Sequence, residues 1–175
     1  MMSYLLEGQE SERLLFRRLR EEDFHAWLPF FEDPLSNKYW KSEITDPVLQ
    51  CKTWFQKTFQ RYASNTGGMN VITEKSSGAF VGQCGLLIQH VDAVEELELG
   101  YSIMPAFRNR GFATEASTKA IEHAFKNKLS NSLISIIHED NIESEKVAIK
   151  NKMQLDKRTM YSSNPVKIYR IFNID

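Results

Sequence analysis

The sequence predicts a single α+β domain (α/β mixed), built on one mixed sheet with helices on both faces. Three observations carry this. The chain has 175 residues, the size of one domain, and a folded chain of that length buries about 70% of the surface it exposes when unfolded. Its composition is 42% hydrophobic and 26% charged, with 8 glycines and 5 prolines. That belongs to a chain with a core, not to a disordered or collagen-like one. Its hydrophobic periodicity runs strand, two helices, three strands, helix, strand, helix, two strands. Hairpin runs mixed with strand–helix–strand crossovers require parallel and antiparallel pairs in one sheet. Residues 1–175 therefore read as one domain, with 1–12 as a short N-terminal extension.

In chain order, Leu14-Leu15-Phe16-Arg17-Arg18-Leu19 is short and apolar-rich, as a first strand requires. Glu21, Glu22 and Asp23 place negative charge at a helix start, and Phe24, Trp27, Leu28 and Phe31 follow at helical spacing. This predicts a helix over 21–31, stopped by Asp33-Pro34. A second helix starts at Asp46-Pro47, with proline at an early helical position, and carries Trp54, Phe55, Thr58 and Phe59 to residue 63. After the turn cluster Asn65-Thr66-Gly67-Gly68 the period becomes that of strands. Residues 69–74 and 80–89 form a hairpin across Lys75-Ser76-Ser77-Gly78. Residues 95–104 alternate, with Leu97, Leu99, Tyr101 and Ile103 on one face and Glu96, Glu98, Gly100 and Ser102 on the other. Pro105 ends that strand. Phe112–Lys126 is the clearest helix, its apolar side formed by Phe112, Ala116, Ala120 and Ala124. A strand over 132–137, a helix over 142–151 and two strands, Gln154–Tyr161 and 167–172, complete the chain around the turn Ser162-Ser163-Asn164-Pro165.

Composition also excludes function classes. Twenty-two Lys and Arg against 23 Asp and Glu give a net charge of −1, without the basic excess of a chain held on nucleic-acid phosphates. Cys51 and Cys84 are too few for a disulfide framework, and none of the four histidines stands at metal-ligand spacing. No metal is expected. The N-terminus lacks a basic region followed by an apolar run, and nothing approaches a membrane span. A soluble, cytoplasmic protein is expected.

The segment with most chemical content is Ile103-Met104-Pro105-Ala106-Phe107-Arg108-Asn109-Arg110-Gly111-Phe112-Ala113-Thr114. A strand ends, a short loop carries two arginines and a glycine, and a long helix follows at once. The free N–H groups of a helix's first turn, with its partial positive charge, make an anion site. Gly111 admits a phosphate close to the backbone, and Ala113 keeps the first turn clear. Arg108 and Arg110 suit a pyrophosphate. The competing explanation is an ordinary basic loop leading into a helix, for this is neither a Walker A sequence nor GxGxxG.

Arg108-x-x-Gly111-x-Ala113 resembles the acetyl-CoA pyrophosphate loop of the GNAT N-acetyltransferase superfamily. Arg13-Leu14-Leu15-Phe16-Arg17-Arg18-Leu19-Arg20-Glu21-Glu22-Asp23 resembles the opening of its Rim-type branch, the ribosomal-protein N-terminal acetyltransferases and their relatives. Glu98-Leu99-Gly100-Tyr101 is similar to that branch's Glu-Ile-Gly-Tyr strand, and Thr114-Glu115-Ala116 to its helix start. Asn141-x-x-Ser144-x-x-Val147-Ala148-x-Lys150-Asn151 resembles its second cofactor motif. The resemblance spans residues 13–171. It implies a roughly seven-stranded sheet splayed open between the strand that holds Glu98 and the strand over 132–137. Acetyl-CoA would lay its pantetheine arm against the backbone of Ile103 and Met104 and its pyrophosphate on Arg108, Asn109, Arg110, Gly111, Phe112, Ala113 and Thr114. Asn141 and Ser144 would contact the cofactor too.

The resemblance implies direct attack by a free amine on the thioester, so the protein must align two reactants, deprotonate an ammonium and protonate a thiolate. Glu98 is the candidate base, or organiser of a water, against the alternative of a solvated strand carboxylate. Ser144 is the candidate donor to the thiolate. Asn141 also reads as an N-cap. Tyr161 and Tyr169 are weaker donors, and Cys84 reads as a buried structural thiol. Tyr39, Trp40 and Trp54 divide between core and the wall of an acceptor groove. The implied function is acetyl-CoA-dependent transfer to a primary amine, a protein N-terminus or a small molecule, by a monomer or homodimer. The alternative is a catalytically silent acyl-CoA-binding module. One departure stands out: Lys152 replaces the glycine that ends the family's second motif, which predicts a lysine in the left-handed region with its side chain in solvent.

Overall fold

Alternation along the strands gives the sheet two apolar faces, and each recruits its own pair of helices. The computed structural model describes residues 3–174; Met1 and Met2, part of the N-terminal expectation, lie outside them. The strands are β1 (Leu14–Arg18), β2 (Gly67–Glu74), β3 (Phe80–Val91), β4 (Val94–Ile103), β5 (Ser132–His138), β6 (Gln154–Tyr161) and β7 (Asn164–Phe172). The helices are α1 (Phe24–Glu32), α2 (Pro47–Ser64), α3 (Phe112–Lys126) and α4 (Ile142–Lys150). All seven strands form one sheet in the order β1-β2-β3-β4-β5-β7-β6. Leu14, Phe16, Ile72, Leu86, Leu97 and Leu99 pack under Phe112, Ala116, Ala120 and Ala124 of α3. Val71 and Leu19 pack against Trp27 of α1 and Cys51 and Phe55 of α2.

Several boundaries differ from those the sequence predicts, each for a local reason. The first helix begins with a 3-10 turn, Glu21–Asp23. Asp23 is buried there instead of facing water, because it accepts both Arg17 guanidinium nitrogens at 2.8 Å and the Arg20 amide at 2.8 Å. Gly67 and Gly68 belong to β2, not to the turn. A Cβ on Gly67 would lie 2.0 Å from the Leu86 carbonyl oxygen, so only glycine lets β2 and β3 pair there. β3 and β4 run on to Val91 and Val94 about a two-residue turn, Asp92-Ala93, at φ 49° and 63°. β6 and β7 close in the same way about Ser162-Ser163, at φ 48° and 63°. Consecutive positive φ values give the twist that tight hairpins need. These four residues adopt it without glycine.

The end of α4 follows the sequence expectation. Lys152 sits at φ 64° with its side chain exposed. Its N–H donates to the Ile149 carbonyl and that of Met153 to the Ala148 carbonyl, the paired bonds of a Schellman turn. Met153, 3% exposed, closes the turn onto the core.

β4 and β5 are the only parallel neighbours among the described residues, and they pair at a single position, Glu98 opposite Ile134. One residue further along, the Ser135 hydroxyl donates to the Leu99 carbonyl at 2.9 Å. A side chain thus satisfies the backbone acceptor that a continuing ladder would have used. Beyond this bond the strands part. The fork lies at the C-terminal ends of both strands, and α3 and α4 start above its two prongs.

Candidate active site

The fork exposes the edge of β4. Backbone groups alternate sides along a strand, so Tyr101 and Ile103 present theirs in the same direction as Leu99, toward the opening. Met104 does not. Its N–H donates to the Val81 carbonyl and its carbonyl accepts from Phe107. Of the two residues expected to offer backbone to a pantetheine arm, Ile103 is suitably oriented, and Met104 has both groups engaged elsewhere. The Ile103 carbonyl itself accepts from Arg108 Nε at 3.2 Å, which leaves the Ile103 N–H and the Tyr101 backbone groups facing the opening.

The loop beyond β4 turns twice through the left-handed region. Asn109 and Gly111 are left-handed, at φ 61° and 81°, on either side of Arg110. Gly111 is the N-cap of α3 and no side chain caps that helix. The N–H groups of Phe112, Ala113 and Thr114 therefore point outward from its first turn. The two arginines expected to suit a pyrophosphate are both engaged by other residues. Arg108 donates to Asp33 and to the Ser36 hydroxyl, each at 2.7 Å, which ties the loop to the segment after α1. Arg110 lies over the rings of Phe107 and Phe112, at 5.3 and 5.1 Å, and 3.5 Å from Glu74.

Two further residues brace this loop that the sequence did not single out as such. Arg13 donates from Nη1 to the Arg110 carbonyl at 3.0 Å and from Nε to Glu115 at 2.6 Å. Glu115 also accepts the Arg13 amide and the Ser11 hydroxyl, both at 2.7 Å. Burial alone would raise the Glu115 carboxyl; these donors outweigh it and hold it below the ordinary carboxylate range.

Glu98 occupies the base of the fork on the face toward α2. Burial pushes its carboxyl up to about 7, against the opposing effects of the Gln89 amide and the nearby Arg61 charge. Tyr161 of β6 stands near enough for the Glu98 charge to help raise its own phenol, after burial. A carboxyl poised near neutrality is what proton abstraction from an ammonium requires. His138, 8% exposed at the end of β5, closes one side of the same face, with Tyr39 and Trp40 packed on its ring at centroid distances of 5.6 and 6.1 Å. Of the three aromatics divided between wall and core, Tyr39 and Trp40 pack on His138 outside the core clusters. Trp54 belongs to the Trp27 cluster, and its indole N–H donates to Gln83 at 3.2 Å.

On the other prong, Asn141 is the N-cap of α4, its Oδ1 accepting the Ser144 N–H at 3.1 Å. The Tyr101 hydroxyl donates to the Ser144 carbonyl at 2.7 Å, fixing the first turn of α4 to β4 across the opening. Burial raises this phenol, so it stays protonated. Tyr169 packs in the main core. Burial also pushes the Cys84 thiol up to about 12, leaving it inert.

Comparison with known proteins agrees with this geometry. The model of the acetyltransferase (GNAT) domain matches residues 13–154. An acetyltransferase from Agrobacterium tumefaciens superposes with a TM-score of 0.79 at 24% identity, covering 98% of this chain and 97% of its own. The ribosomal-protein-S5-alanine acetyltransferase of Vibrio fischeri gives 0.75 at 15% identity, covering 97% and 98%. Spermidine N-acetyltransferase from Vibrio cholerae, in complex with CoA and spermine, gives 0.72 at 15% identity, covering 92% and 96%. At these identities the likeness to the solved structures is one of fold, and it includes the ribosomal-protein branch that the sequence motifs resemble.

Proposed function

Because the chain belongs to the GNAT acetyltransferase family, we propose that it transfers the acetyl group of acetyl-CoA to a primary amine aligned over Glu98. The observation that carries this is the coincidence of three features at one fork: an open β4 edge, an uncapped helix N-terminus and a carboxyl raised to about 7. The cofactor fits the residues present. The amides of Phe112, Ala113 and Thr114 would hold the pyrophosphate, with Gly111 adding no Cβ, and the Tyr101 and Ile103 backbone would take the pantetheine amides. Bound there, acetyl-CoA supplies an activated acetyl thioester.

The chain's own residues do the rest. Glu98 accepts the proton of the ammonium and so generates the nucleophile. Ser144, in the first turn of α4 and held by Asn141 and Tyr101, donates to the departing thiolate. The wall of Tyr39, Trp40 and His138 orients the acceptor's apolar part. Both acceptor classes named for the structural neighbours, a protein N-terminus and a polyamine, offer the same reactive primary amine.

The test is free-thiol release with a panel of amines and peptides. Glu98→Gln should lower kcat by about a hundredfold with acetyl-CoA affinity unchanged. A variant within twofold of the native rate across the pH range would remove Glu98 from the reaction.

A further inference from the structure

Arg61, near the C-terminal end of α2, turns its guanidinium onto β3 and the α2–β2 connection. Its Nη1 donates to the Thr66 and Ile88 carbonyls, at 3.1 and 3.0 Å, and its Nη2 donates to Gln89 Oε1 at 3.0 Å. Gln89 lies on β3 opposite Glu96, two residues from Leu87, which is the partner of Glu98. Gln89 and Glu98 are therefore diagonal neighbours on one face of the β3–β4 pair, within reach of a long side chain.

An amide has an acceptor end and a donor end, and only its partners decide which way it points. Here the partner is a guanidinium, which donates and never accepts. Arg61 thus fixes Oε1 of Gln89 toward α2 and leaves the NH2 group on the side of its diagonal neighbour Glu98, whose carboxyl Gln89 lowers against the effect of burial. Without Arg61 the amide would be free to rotate and present its oxygen to a carboxylate, a repulsive contact. We propose that Arg61 and Gln89 are positioning residues for Glu98: a donor relay, guanidinium to amide to carboxyl, that aims the carboxylate and favours its ionised form. This rests on the reading of Glu98 as the proton acceptor.

The other groups around Glu98 do not replace the relay. Tyr161 from β6 adds a phenol that stays protonated and so carries no charge, and the Tyr101 phenol donates to the Ser144 carbonyl. Glu96 on β4 is neutralised by Arg170 of β7 at 2.6 Å. The relay is the one donor path to Glu98 among the described residues that runs through two side chains fixed from outside the fork.

The experiment is a carbon-13 titration of carboxyl-labelled glutamate in the intact protein, with the Glu98 signal assigned by its loss in Glu98→Gln. It needs no acceptor. Gln89→Met keeps the length and removes the donor, so the Glu98 midpoint should rise by about one pH unit. The acid limb of thiol release with the amine panel should move with it, while calorimetric acetyl-CoA affinity stays constant. Arg61 also closes the α2–β2 connection, so it is tested as a pair of variants. Arg61→Lys, still a donor only, should shift the midpoint less than Arg61→Met. An unmoved midpoint in Gln89→Met overturns the relay, and if Glu98→Gln is then inactive the acid–base role of Glu98 stands without it. A fully active Glu98→Gln overturns both.

Discussion

Glu98 reads from the sequence as a polar-face strand residue, and the alternation of β4 places it there. What the pattern does not reveal is its surroundings: a fork base with Gln89, Arg61 and Tyr161 from three other elements. Those surroundings give Glu98 a stability signature independent of any substrate. The folded carboxyl titrates at about 7, against 4.5 for an unperturbed one. Between those values the folded chain holds a proton the unfolded chain has released, so stability falls as pH rises, and the loss is complete above the folded value. Glu98→Gln has no such proton. Its urea-unfolding stability, compared with wild type from about pH 4 to about pH 8, should lack this part of the decline, and the variant should be the more stable above neutrality. Parallel profiles for the two proteins would place the Glu98 carboxyl in an ordinary aqueous environment.

At the scale of elements, α4 is the most legible, because both of its ends obey local rules. Asn141 caps its start. At its finish, Lys152 stands at φ 64° in a turn whose hydrogen bonds are those a glycine would make. The less legible elements are the hairpins. Asp92-Ala93 and Ser162-Ser163 form tight turns without the glycine or Asn-Gly pair that marks such turns in a sequence, so the flanking strands read short. Gly67 and Gly68 misled in the other direction. They look like a turn and are instead strand residues where another backbone approaches. The α4 terminus yields a quantitative expectation. A non-glycine residue held at positive φ is strained, and glycine there relieves more than it adds to the entropy of the unfolded chain. Lys152→Gly should therefore stabilise the protein by about 0.5–1 kcal/mol. Denaturant melts showing the variant less stable than wild type would mean that the exposed lysine contributes elsewhere.

Over the whole molecule, the motifs prescribe a sheet and a loop, but they do not say what lies across from them. Arg108 and Asp33 are 75 positions apart, and Arg13 and Glu115 are 102 apart. No periodicity or local spacing encodes such pairs, because they form only once distant elements have docked on the sheet. The Arg108 pair matters most, since it joins the loop proposed for the cofactor to the segment that leads to Tyr39 and Trp40, the proposed acceptor side. The Arg108 donors outweigh burial and keep Asp33 ionised below its usual range. An ionised Asp33 and a bound pyrophosphate compete for the same guanidinium, and Asp33 also repels the incoming anion. Asp33→Asn keeps the shape and removes the charge. CoA should then bind about three- to tenfold more tightly, a gain of ~0.7–1.4 kcal/mol, and the gain should shrink as salt is raised. Calorimetric titration at two ionic strengths measures both. A folded variant that binds CoA no better than wild type would show that Arg108 keeps its hold on the α1 segment with the cofactor in place, as a brace between the two halves of the site.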